Sequence, residues 1–105
     1  SQFVPVVLYD PNNTGQTATQ TDLKTILKNA AAGQAQAQLD LARLCAEGDG
    51  VEQNPVEAYK WFTLAFNQGL EEALTERSKL IKAKGMGLDD IMAAKKLVRA
   101  FKPNK

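Results

Sequence analysis

The sequence predicts an all-α fold, with about five antiparallel helices stacked as short helical repeats behind a non-helical N-terminal segment. Three observations predict it. Alanine is abundant, while Phe, Trp and Tyr make up only 7% of the 105 residues, which favours closely packed helices over a β-sandwich. From Thr21 onward the apolar residues recur at helical spacing. The chain also matches itself when shifted by 36 residues, the mark of stacked helical units.

Residues 1–20 form the exception. Phe3-Val4-Pro5-Val6-Val7-Leu8-Tyr9 is apolar and β-branched, and Pro5 argues against a central strand. Asp10 to Gly15 reads as a turn or loop, and Gln16 to Gln20 is polar. This segment is expected to be extended or flexible, with its apolar part packed on the helices rather than left in water.

The first helix starts at Thr21 or Asp22, either of which can cap it. Leu23, Ile26, Leu27 and Ala30 form a single stripe, and Gly33 supplies the stop. The second covers about Gln34 to Glu47, with Ala37, Leu41, Leu44 and Cys45 inward, and ends in Gly48-Asp49-Gly50-Val51. The third has the clearest start. Asn54 caps, Pro55 takes the first helical position, and Glu57 can bond back to the cap. Its inner face is Ala58, Trp61, Phe62 and Ala65, and Gly69 stops it. A fourth helix runs from about Glu71 to Lys84 with Ala73, Leu80 and Ile81 inward. A fifth follows Gly85-Met86-Gly87 and runs to about Lys102, with Ile91, Ala94, Val98 and Phe101 inward, until Pro103 ends it.

The 36-residue shift places Gly33 on Gly69, Ala37 on Ala73, Leu44 on Leu80, Ala58 on Ala94, Trp61 on Leu97 and Phe62 on Val98. Each pair keeps one physical role: stop, small contact residue or core residue. Alanines at 37, 58, 65 and 73 let helix backbones approach, and Trp61 and Phe62 fill the space between pairs.

The stretch Ala32-Gly33, Ala37-Gln38, Leu41-Ala42, Leu44, Gly48-Asp49-Gly50-Val51, Asn54, Ala58-Tyr59-Lys60-Trp61-Phe62, Ala65, Gln68-Gly69 and Ala73 resembles the Sel-one-like repeat family, a tetratricopeptide-like group. The resemblance implies an α/α superhelix used as a scaffold for protein–protein contacts, often bacterial, in the cytoplasm or periplasm. It divides residues 21–105 into a full repeat at 33–68 and a degenerate capping repeat at 69–104. Cys45 stands where the family usually has tyrosine, Asn54 replaces the usual aspartate, and Phe66 replaces alanine. In the second copy the Gly-x-Gly-Val loop is absent and Arg77 takes the place of Leu41, which suggests a terminal helix facing solvent on one side.

Composition narrows the function. No histidine occurs, so the commonest general base and zinc ligand are missing. The single Cys45 allows no intrachain disulfide and, inward-facing with no histidine to activate it, reads as core. No phosphate loop or metal cluster appears, and no run is apolar enough to span a membrane. Catalysis, cofactors and metals are therefore not expected. The chain opens on Ser1 rather than Met, which reads as a processed chain or an excised piece.

The net charge of +1 hides an asymmetry. From residue 77 on there are nine basic and two acidic residues, a net +7; before it there are four basic and ten acidic, a net −6. The expected function is a non-catalytic module that holds a partner protein segment in the groove of the solenoid, lined by the helices at 34–47 and 71–84. Outward residues Gln36, Gln38, Asp40, Arg43, Glu47 and Arg77 are the candidates for partner binding. The alternative is self-assembly, with acidic front and basic rear stacking end to end and giving weak self-association. Nucleic-acid binding through Lys95, Arg99 and Lys102 ranks lower, because no aromatic residues interleave with them.

Overall fold

The computed structural model describes residues 22–103; the expectations placed on residues 1–20 lie outside the described residues. Five helices follow in order: α1 (Leu23–Ala31), α2 (Ala35–Glu47), α3 (Pro55–Asn67), α4 (Glu72–Lys84) and α5 (Leu88–Ala100). No strand occurs among the described residues, and the fold is all-α as the sequence predicts.

Local chemistry sets the helix limits. The Asp22 carboxylate accepts the Thr25 N–H at 2.9 Å and opens α1. The Asn54 side chain accepts the Glu57 N–H at 3.1 Å, with Pro55 just inside α3. Glu57 does not bond back to the cap as expected. It pairs with Lys60 at 2.9 Å, whose ammonium also lies 4.1 Å from the centre of the Trp61 ring. At the other end of α2, Gly48 takes φ +75°, a left-handed stop that a side chain would strain. The loop after it is pinned by the Asn54 N–H donating to the Cys45 carbonyl at 2.9 Å. α5 stops at Ala100, two residues before the expected Lys102: Phe101 already takes extended backbone, and Lys102, which precedes Pro103, is itself disfavoured from the helical region.

α3 is the hub. It packs against α2, α4 and α5, while α1 covers α2. Ala42, Ala58, Ala65, Ala73 and Ala94 have no exposed surface, which is what close backbone approach requires. Trp61 and Phe62 point inward as the repeat pattern demands. Trp61 meets Phe101 edge to face, with ring centres 5.5 Å apart, a preferred aromatic geometry.

Two departures from the periodicity stand out. Leu27, expected in the inner stripe of α1, is 44% exposed; among the described residues α2 is the helix that packs on α1, and a single neighbour hides only a narrow stripe. The 36-residue shift also implies that α4 and α5 pair as α2 and α3 do. Instead α5 turns away after Gly85-Met86-Gly87 and rests on α3, where Phe101 reaches Trp61. Met86 from the turn joins the core.

Candidate functional site

Because α2 and α4 both lean on α3 without packing on each other, an open groove of about 590 Å³ runs between them. Phe62 of α3 lines it together with Leu80 of α4, and Ala46 and Ala83 keep the walls low. Around these apolar residues stand Arg43 and Glu47 of α2, and Glu72, Glu76, Lys79 and Lys84 of α4.

Arg43 crosses the groove. Its Nε donates to Glu76 Oε1 at 2.9 Å and its Nη2 donates to Oε2, a forked pair. Glu72 lies 3.7 Å away and Asp40, one turn before, 3.8 Å. The hydrogen bond to Glu76 pushes the Arg43 guanidinium above its ordinary pKa, against a smaller opposing effect of burial. Gln36 donates to Asp40 Oδ1 at 3.1 Å and extends the network back along α2. Glu47, Lys79 and Lys84 take no ion-pair partner among the described residues, so their charges are free for a ligand.

The six residues chosen from sequence divide three ways. Arg43 and Glu47 line the groove. Gln36 and Asp40 continue the same stripe, since 36, 40, 43 and 47 fall on one helix face. Gln38 and Arg77 do not face outward. Gln38 is 1% exposed; at about 100° per residue it lies about 200° round the helix from Gln36, which aims it at the core. There it donates to the Ala30 carbonyl at 3.2 Å and accepts from Gln68 at 2.9 Å, and Gln68 also donates to the Gly33 carbonyl at 2.6 Å. Burial is tolerated because the amide is hydrogen-bonded.

Arg77 is half-buried against α3 rather than turned to solvent. Its Nη1 donates to Thr63 Oγ1 at 3.0 Å and its guanidinium sits 4.8 Å from the Tyr59 ring centre, while its Nε has no partner. The long side chain covers the ground that Leu41 covers in the first unit.

The sequence places the groove between the helices at 34–47 and 71–84 but names only Arg77 on the second of them; the α4 residues that line it go unnamed, although the signal for them is present. The 36-residue shift carries Gln36, Asp40, Arg43 and Glu47 onto Glu72, Glu76, Lys79 and Ala83, and all four of those residues line the groove. The two walls are one stripe used twice. Applied to outward as well as inward positions, the shift names them.

Cys45 is buried, and burial, as the leading cause, pushes its thiol pKa up, which disfavours the thiolate. Lys95, Arg99 and Lys102 are exposed on or just beyond α5. No described helix is long and apolar enough to cross a membrane.

Residues 35–70 match the family model of the Sel1 repeat. The match spans α2, the glycine loop and α3, the part whose loop and aromatic pair carry the resemblance read from the sequence. Comparison with the curated proteins finds no match.

Proposed function

We propose that this chain is a non-catalytic protein-interaction module whose α2–α4 groove receives a segment of a partner protein. Sel1 repeats generally mediate protein–protein interaction and are generally non-catalytic. The observation that carries the reading is the groove itself: Arg43 and Glu47 of α2 face Glu72, Glu76 and Lys79 of α4 across Phe62 and Leu80, and Glu47, Lys79 and Lys84 take no ion-pair partner among the described residues. Phe62 and Leu80 are nearly buried, so an apolar side chain laid over them gains less than the roughly 1.5–3 kcal/mol of full burial. The free charges at the rim then fix direction and reject like-charged sequences. In this reading residues 33–68 form the full unit, 69–104 a degenerate closing unit, and α1 half of a preceding layer.

End-to-end stacking draws less support. The acidic half of the sequence does not gather into an acidic front, because α1, the helix outermost at that end, carries Lys24 and Lys28 and no carboxylate of its own.

The test is selection of peptides from a random library on the full chain, followed by amide chemical-shift mapping of the strongest binders. Shifts at Ala46, Phe62, Leu80 and Ala83, lost on exchanging Lys79 for glutamate, support the groove. Binders that shift other surfaces, or a library that yields none, overturn it.

A further inference from the structure

Leu88 and Met92 are the most exposed large apolar side chains among the described residues, at 71% and 58%. They lie four residues apart on α5, and Lys95 and Arg99 continue the line at spacings of three and four, the rhythm of a seam between paired helices. The inner face of α5, with Ala94, Ile91, Val98 and Phe101 in or against the core, is taken up by α3. The exposed stripe is therefore a second seam that nothing in the described fold covers.

The charge pattern beside the stripe says what fits it. Asp89 and Lys96 are both exposed and seven residues apart, hence on one flank of α5. The helix is acidic in its first turn, at Asp89 and Asp90, and basic in its second half, at Lys95, Lys96 and Arg99. When two such helices lie antiparallel about a two-fold axis, like flanks meet and each acidic turn runs beside the other's basic half. Asp89 of each copy then approaches Lys96 of the other, twice in the pair. Leu88 and Met92 lie against the aliphatic stems of Arg99 and Lys95, whose charged heads stay in water. A parallel pairing would put the two basic halves at the same level and leave Asp89 and Lys96 on opposite sides of the seam.

We propose that a second copy of this chain docks on this stripe, forming a two-fold symmetric dimer through α5 and leaving the α2–α4 groove free. One helix face falls well short of the ~800 Å² per partner of a standard interface, so the dimer is weak and its population follows concentration.

Sedimentation of the full chain from micromolar to low millimolar concentration tests this. The weight-average mass climbs toward twice the monomer, and Met92→Lys or Leu88→Ser holds it at the monomer. Asp89→Lys and Lys96→Asp each weaken dimerisation about tenfold, and combining them in one chain restores it to within about threefold. Thermal melts confirm that these exposed substitutions leave the fold intact. A chain that stays monomeric throughout overturns the proposal and leaves the stripe to another partner. So does a dimer indifferent to Met92→Lys, or a double variant no better than the singles.

Discussion

Arg43 on α2 and Glu76 on α4 meet as a forked ion pair across the groove, and no direct helix packing joins the two elements that carry them. The pair is therefore the direct tie between the two walls, reinforced by Glu72 and Asp40 on either side. Its role is to set how far the walls stand apart more than to hold the fold, because partly exposed ion pairs contribute little stability.

Removing that tie should be gentle on stability. Glu76→Gln is expected to lower unfolding free energy by about 0.5–1 kcal/mol at low ionic strength, and by less in about 1 M salt, where surface charges are screened. Urea titrations at both salt concentrations check this. A loss of several kcal/mol would mean that the groove walls depend on this pair for their packing.

Arg77 gives a prediction of the opposite sign. Its half-buried guanidinium faces Tyr59 and Thr63, and among the described residues no carboxylate pairs with it and its Nε has no partner. The equivalent residue in the first unit is Leu41, 2% exposed. Arg77→Leu removes the desolvated charge and keeps apolar cover, so it is expected to stabilise by about 1 kcal/mol. In a domain of this size that raises the melting temperature by about 4–8 °C. A fall in melting temperature would show that the Tyr59 and Thr63 contacts outweigh the buried charge.

How much of this was legible in the sequence depends on how far apart the interacting residues are. Helix limits were readable because caps are local: Asp22 serves Thr25, and Asn54 serves Glu57. The inward set of α3 was readable because period and repeat agree on Ala58, Trp61, Phe62 and Ala65. Gln38 was not, because the residue that satisfies its amide, Gln68, lies 30 positions away, and an isolated glutamine reads as surface. The landing of α5 on α3 is likewise non-local; it turns on Phe101 reaching Trp61. Both helices that line the groove are legible in the sequence, but of their lining residues only Arg43 and Glu47 are, until the 36-residue shift is extended to outward positions.

The buried Gln38 network makes a coupled prediction. Gln38→Leu keeps the volume but removes one hydrogen bond each from the Ala30 carbonyl, which keeps the Gly33 N–H, and from the Gln68 amide, which keeps the Gly33 carbonyl. The expected cost is about 0.5–1.5 kcal/mol, the net worth of a hydrogen bond whose partners stay paired. Gln68→Ala, at an exposed position, is expected to cost less. The double variant should be less destabilised than the sum of the two singles, by about 0.5 kcal/mol or more. Strict additivity in equilibrium unfolding would show that the two amides act independently.

Asp22 supplies a pH dependence. The Thr25 backbone N–H, as the leading cause, holds its carboxylate below the ordinary 3.8. A carboxylate with a depressed folded pKa contributes stability that is full above its unfolded value and is lost as pH falls through the folded value. Asp22→Asn keeps a capping acceptor and removes the titration. The stability difference between wild type and Asp22→Asn should therefore be constant above about pH 5 and shift toward the variant below about pH 4. Melts of both proteins at steps across that range check it, and a difference that stays flat through acid would detach the cap from the titration.

Two glycines separate strain from crowding. Gly85 closes α4 at φ +59°, and a Cβ built there meets nothing within 4 Å. Gly48 closes α2 at φ +75°, but a Cβ there stands 3.0 Å from the Gln53 Cβ. Gln53 cannot retreat freely, since its side chain donates to the Ala46 carbonyl at 3.1 Å and the next residue is tied to Cys45. Gly85→Ala should therefore cost only the left-handed backbone penalty of about 1–2 kcal/mol. Gly48→Ala should cost more than that, because moving Gln53 disturbs the loop that positions the Asn54 cap of α3. Equal losses in urea titrations would mean that the loop yields without resistance, and that the start of α3 is set by Asn54 and Pro55 alone.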